Sequence, residues 1–346
     1  MTVTKPQNAT LIDSISEGYI AINRRPWLLL LPLLLNVYLW FGPQLSFGPL
    51  FTNVHEVLKS MQPGLIDQSE MQVLYDQLLA NGSVDLRSQA TFLNYVPTLR
   101  QYIIGAADST GNTAGVPSII EPPRLIDTRR TDTIEVATVG GALLAFVTLN
   151  TLALALSALF LAQVGAAVRN PAGGMWLPRG GLGATLRVGL AMLGSIGIIL
   201  GVMLALGLPF LFFAYLLIFL NPTIGLLALE LLFVVGFWIN IYIGFYREAI
   251  VIHDQGPLRA IYTSFNVVRR NFWGTLGFLA LSLIISLGSG VIWFRLVGST
   301  AGLIVAMIGS AYIGSGLLAA RMAFFRERLR RWQSAPVQPT GLRARN

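Results

Sequence analysis

Apolar residues gather in six long runs, 27–51, 136–165, 188–220, 223–246, 273–294 and 299–320, separated by segments rich in arginine, glycine and proline. Crossing the ~30 Å of bilayer hydrocarbon takes about 20 apolar residues at ~1.5 Å each. Each run therefore predicts a transmembrane helix, and the chain an all-α, polytopic bundle of six spans. The first run holds Pro32, Gly42, Pro43 and Pro49, which predicts that its later part frays into the outer interface. The third is too long for one straight crossing. It is either a single span kinked at Pro209 or two short ones. Asn221-Pro222 predicts the turn between the third and fourth spans.

Between the first two spans, residues 52–134 predict a small, mainly helical extracytoplasmic domain. "SEMQVLYDQLLANGS" (69–83) starts on a Ser69 cap, repeats apolar residues at helical spacing and closes on Asn81-Gly82. "SQATFLNYVPTLRQYI" (88–103) is a second helical pattern, interrupted by Pro97. "ADSTGNTAGVPS" (107–118) predicts a loop, and 118–133 an extended return to the membrane. Residues 1–26 form an amphipathic N-terminal segment. Thr10 and Asp13 cap it, and Leu11, Ile12, Ile15, Tyr19 and Ile22 share one face. Residues 256–274 repeat that design, with Ile261, Phe265 and Val268 above Arg269-Arg270. The first apolar run begins only after about 25 polar or amphipathic residues, and no A-x-A site follows it. This predicts an uncleaved anchor rather than a secretory signal.

Charge fixes the orientation. With an inside N-terminus, segments 1–26, 166–187, 247–272 and 321–346 face the cytoplasm and hold 17 basic residues against five acids. The outer segments hold seven basic residues against ten acids. Arginine-rich short loops stay inside, so both termini are predicted cytoplasmic, with the protein in the inner membrane of a bacterial-type cell. Composition agrees: 54% of residues are apolar and 12% charged, against about 25% charged in soluble domains. The +8 net charge would suggest nucleic acid in a soluble protein. Here the charges sit against the bilayer, so no nucleic-acid partner is expected. Cysteine is absent, which excludes disulfides, thiolate metal sites and cysteine nucleophiles.

Candidate chemistry is sparse. Glu230 interrupts "LLALELLFVV" (226–235). Intramembrane carboxylates usually face protein and often mark function. Two readings stand: an interhelical hydrogen bond, with Asn150, Arg295 or a carbonyl freed at Pro209 as partner, or a proton or cation relay. Small residues recur every fourth position, at Gly197, Gly201 and Ala205, at Ser282, Ser286 and Gly290, and at Gly302, Ala306, Ser310 and Gly314. They predict close helix packing within one bundle or in a homo-oligomer. In the tail, Arg321, Arg326, Arg328, Arg330 and Arg331 are either contacts to anionic lipid headgroups or ordinary topology-fixing charges. The glycine-rich loop 166–187 lacks the GK[ST] of a phosphate-binding loop. His55 and His253 fall on opposite sides of the membrane. No catalytic residue, metal site or cofactor is expected.

The stretch "AIYTSFNVVRRNFWGTLGFLALSLIISLG" (260–288) resembles bacterial multi-span domains of uncharacterised function. These include the membrane domain attached to some glycerophosphodiester phosphodiesterases. Ala260, Ser264, Arg269-Arg270-Asn271 and the span from Phe272 carry the resemblance. It implies a membrane-embedded helical bundle and transfers no catalytic residue. The expected role is non-enzymatic, in membrane organisation or complex assembly, with the bilayer and a membrane protein or second copy as partners. The alternative is a transporter or permease for a lipid or small solute, with Glu230 in its path.

Overall fold

The computed structural model describes residues 10–61, 91–104, 133–170 and 181–334. The predicted helix over 69–82 and the extended stretch over 118–132 lie outside them. The described chain is almost entirely helical. In order it forms α1 (Leu11–Asn23), a 3-10 turn (Pro26–Leu29), α2 (Leu30–Phe41), β1 (Gln44–Ser46), α3 (Gly48–Met61), α4 (Leu99–Ile104), β2 (Thr133–Glu135), α5 (Val139–Arg169) and α6 (Gly181–Leu220). These are followed by α7 (Pro222–Ile243), α8 (Tyr246–His253), α9 (Pro257–Arg270), α10 (Phe272–Leu296) and α11 (Thr300–Ser334).

Five stretches are long and apolar enough to cross a membrane: α5, α6, α7 with α8, α10 and α11. The remaining predicted span, 27–51, is broken: its helix ends at Phe41 and helical structure resumes only at Gly48 with α3. Gly42 and Pro43 stop α2, because the proline offers no N–H to extend the ladder. The run from Pro26 to Phe41 has 16 residues, or about 24 Å of helix. Where two short spans were an alternative over 188–220, a single helix of 40 residues runs through Pro209. Its length is about 60 Å, twice the hydrocarbon thickness.

The chain divides into two compact units. The first contains α1 to Ala21, the end of α5, α6 to α9, the start of α10 to Ala280, and α11 from Leu318. Thr10 caps α1 as the sequence predicts. Its N–H and hydroxyl donate to Asp13 Oδ2 at 2.7 and 2.8 Å, and its Oγ1 accepts from the Asp13 N–H at 3.2 Å. The predicted apolar stripe is only partly inside: Ile22 is buried, Leu11, Ile15 and Tyr19 are half-buried and Ile12 is exposed, while the other buried positions of α1 are the small residues Ser14, Gly18 and Ala21. Small residues win because α1 crosses α11 closely: a side chain at Gly18 would run into the Ala320 backbone. Asn221 caps α7 by accepting from the N–H groups of Thr223 and Ile224 at 3.0 and 3.4 Å, with Pro222 at the first helical position. The predicted turn is thus a single residue joining α6 to α7, and Gly225 packs directly on Ile218.

The second unit holds Ile22 to Val164 and Leu281 to Leu317. β1 and β2 pair in parallel, Leu45 opposite Ile134, over a small cluster of Leu45, Phe47 and Val136. Residues 91–98 are irregular, with Val96 to Thr98 buried. Irregular backbone is tolerated in an apolar interior only when its polar groups are satisfied, and two side chains of α5 do this. Asn150 Oδ1 accepts from the N–H groups of Phe92 and Leu93 at 3.0 and 3.3 Å. Ser157 Oγ accepts from Tyr95 N–H at 2.8 Å and donates to the Leu93 carbonyl at 3.1 Å. Asn36, fully buried on α2, accepts from Leu99 N–H at 2.7 Å and donates to the Met307 carbonyl at 3.4 Å. The stripe Gly302, Ala306, Ser310 and Gly314 is buried, as close packing within one bundle requires.

Candidate functional site

The α6–α7 hairpin is apolar around almost its whole circumference, yet its side chains stay exposed. Only Val188, Gly189, Met192, Ser195 and Ala214 are buried on α6, and only Gly225 on α7. Glu230 lies on this surface. Its side chain is exposed and makes no hydrogen bond or ion pair with a described residue. One turn to either side along α7 stand Leu226, Leu227, Phe233 and Val234, with Phe237 a further turn on, all at least half exposed or nearly so. Glu230 follows the start of α7 at Pro222 by eight residues, about 12 Å along the axis. The carboxylate is therefore set well into the apolar length of the helix. On α6 the stripe Gly197, Gly201 and Ala205 is exposed as well, and a side chain at either glycine would meet nothing within 4 Å.

Of the three proposed partners of Glu230, the carbonyl freed at Pro209 lies in the same unit and receives no hydrogen bond from it, while Asn150 and Arg295 belong to the other unit. Asn150 is buried there, holding backbone amides and donating to the Phe146 carbonyl at 2.9 Å. Arg295 is exposed near the end of α10.

A polar cluster that the sequence did not announce lies where α7 gives way to α8. At this break Ser264 Oγ accepts from Phe245 N–H at 3.0 Å and donates to the Tyr242 carbonyl at 2.9 Å. Arg321 of α11 donates to the Gly244 carbonyl, stacks over the Phe245 ring at 4.7 Å, and pairs with Glu248 at 2.5 Å. Glu248 is 1% exposed, and its Oε2 has no hydrogen-bond partner among the described residues. The Phe245 ring that carries Arg321 is itself stacked on Phe325.

Of the tail arginines, Arg321 and Arg326 are turned inward. Arg326 donates to the Val168 carbonyl, capping the end of α5, and pairs with Glu17 of α1. Arg331 is tied to Glu327 one turn back at 2.8 Å. Arg330 is exposed, and Arg328 is half-buried over the Phe324 ring. Burial, with the nearby Arg331 charge adding to it and Glu327 opposing, lowers the pKa of the Arg328 guanidinium. Beyond α7, His253 ends α8 with its ring edge against Phe325. Burial first, then the charges of Arg169, Arg330 and Arg326, hold its pKa below the ordinary histidine value, with Asp254 opposing. Among the described residues no group of three or more His, Asp or Glu side chains is placed to hold a metal ion.

A family model described as Domain of unknown function (DUF7847) matches residues 220–326, from the end of α6 into α11. The match covers less than a third of the chain and includes Glu230, Glu248, Ser264 and Arg321. No curated protein and no solved structure matches the chain.

Proposed function

We propose that this is a multi-pass membrane protein whose role is to assemble or organise a membrane complex, with the α6–α7 hairpin as its docking face. The supporting observation is the exposed carboxylate of Glu230 in the middle of an apolar surface. Lipid tails cannot hydrogen-bond, and a charged group at bilayer depth costs about 2.5–3.5 kcal/mol on insertion scales. A second membrane helix that brings a hydroxyl, amide or basic side chain removes that cost. The bare Gly197, Gly201 and Ala205 stripe favours the same event, because small residues let helix backbones approach closely. A symmetric pairing of two copies on this face would set Glu230 against its own counterpart, a like-charge contact. This favours a different chain as the partner. A transport path through Glu230 would place the group inside a helical bundle among several polar side chains. Its outward position supports docking instead.

The arginine distribution supports six crossings of a bacterial inner membrane, with both ends cytoplasmic and residues 52–134 on the far side. The test is the mass of the particle released from native membranes under mild solubilisation. Wild type is expected well above the 37.6 kDa of one chain, and Glu230→Leu at the single-chain mass with normal expression. A wild-type particle that is already a lone chain overturns the reading.

A further inference from the structure

Where α9 turns into α10, the chain meets the cytoplasmic-side extension of α11 in a corner with more cations than anions. The Arg270 guanidinium lies over the Trp332 ring at 5.0 Å. One helical turn back on α11, Arg328 faces Gly274, where an added Cβ would sit 3.7 Å from its Nη2. Nothing else comes within 4 Å of that Cβ, so the glycine leaves room beside the guanidinium. Neither Arg270 nor Arg328 makes a hydrogen bond or ion pair with a described residue, and Arg328 Nε is fully buried. The carboxylate beside Arg328, Glu327, is already engaged by Arg331. Arg269 adds an exposed charge on α9, and Trp273 projects beside the corner with 79% of its surface exposed.

We propose that this corner is a binding site for the headgroup of an anionic phospholipid, the phosphate held between Arg270 and Arg328 and the glycerol region against Trp273 and Trp332. Guanidinium groups bond phosphate oxygens through pairs of parallel N–H donors, and stacking on a ring leaves those edges free. Tryptophan is enriched at the level of the headgroups. The site is narrower than an arginine-rich tail acting as a whole: Arg321 and Arg326 are occupied inside the unit, and Arg330 lies outside the corner.

Native mass spectrometry of the detergent-solubilised full chain, titrated with phosphatidylglycerol or phosphatidylcholine, tests this. Wild type is expected to retain phosphatidylglycerol in preference to phosphatidylcholine. The double variant Arg270→Gln/Arg328→Gln should bind the anionic lipid roughly tenfold or more weakly, and Arg330→Gln should match wild type. Gly274→Leu keeps every charge and fills the space, so it should weaken binding even if the double variant fails to fold. Equal retention of the two lipids by wild type, unchanged binding in Gly274→Leu, or a loss as large in Arg330→Gln would each overturn the proposal.

Discussion

A carboxylate and a guanidinium buried side by side are tolerable only while both are present, because each offsets the other's lost hydration. Glu248 and Arg321 are in that position, joining α8 to α11 at the break after α7. Removing the acid leaves a mostly buried cation over the Phe245 ring without its counter-charge. Glu248→Ala is therefore expected to destabilise the protein by about 3–5 kcal/mol, read as a lowered Tm in detergent. Arg321→Ala should cost a similar amount. The reciprocal loss separates a buried pair from a surface one, whose removal costs about 1 kcal/mol or less. An unchanged Tm in both variants contradicts the assignment.

At the scale of elements, the irregular stretch 91–98 is held by side chains rather than by a ladder of its own. Asn150 and Ser157 accept from the amides of Phe92, Leu93 and Tyr95, Asn94 and Gln101 from those of Val96 and Thr98, and Asn36 from that of Leu99. Asn36→Leu leaves the Leu99 N–H without its acceptor in a buried site and is expected to cost about 1–3 kcal/mol. Hydrogen exchange at residues 91–99 would read it as faster exchange there with little change in α7 to α9. Local signals were legible in the sequence. The Thr10–Asp13 cap, the Asn221-Pro222 turn and the apolar lengths of α5, α7, α10 and α11 each depend on neighbours within a few residues. What the sequence left dark depends on pairs far apart along the chain. Glu248 looks like one loop acid among several until Arg321, 73 positions on, is brought to it, and Asn36 looks like a stray polar residue until it reaches both Leu99 and Met307. The tail arginines read as headgroup contacts or topology-fixing charges because their spacing hides Met322, Phe324, Phe325 and Leu329, which are buried on the same helix.

For the whole molecule, the rule that an intramembrane acid faces protein meets a chain that leaves its own acid uncovered. The described helices satisfy Asn150 within one unit and leave Glu230 exposed in the other, flanked by Phe233 and Phe237. On the proposed reading, the protein that the rule calls for is supplied by another chain. The α6–α7 surface then stays bare in isolation because its packing partner is external, and the extra length of α6 carries that surface beyond a single bilayer thickness. The most direct measurement places a photo-crosslinking amino acid at Phe233 and irradiates native membranes. The account predicts a discrete adduct with a second protein in wild type that is lost in Glu230→Leu. Adducts with lipid alone, identical with and without the carboxylate, would contradict it.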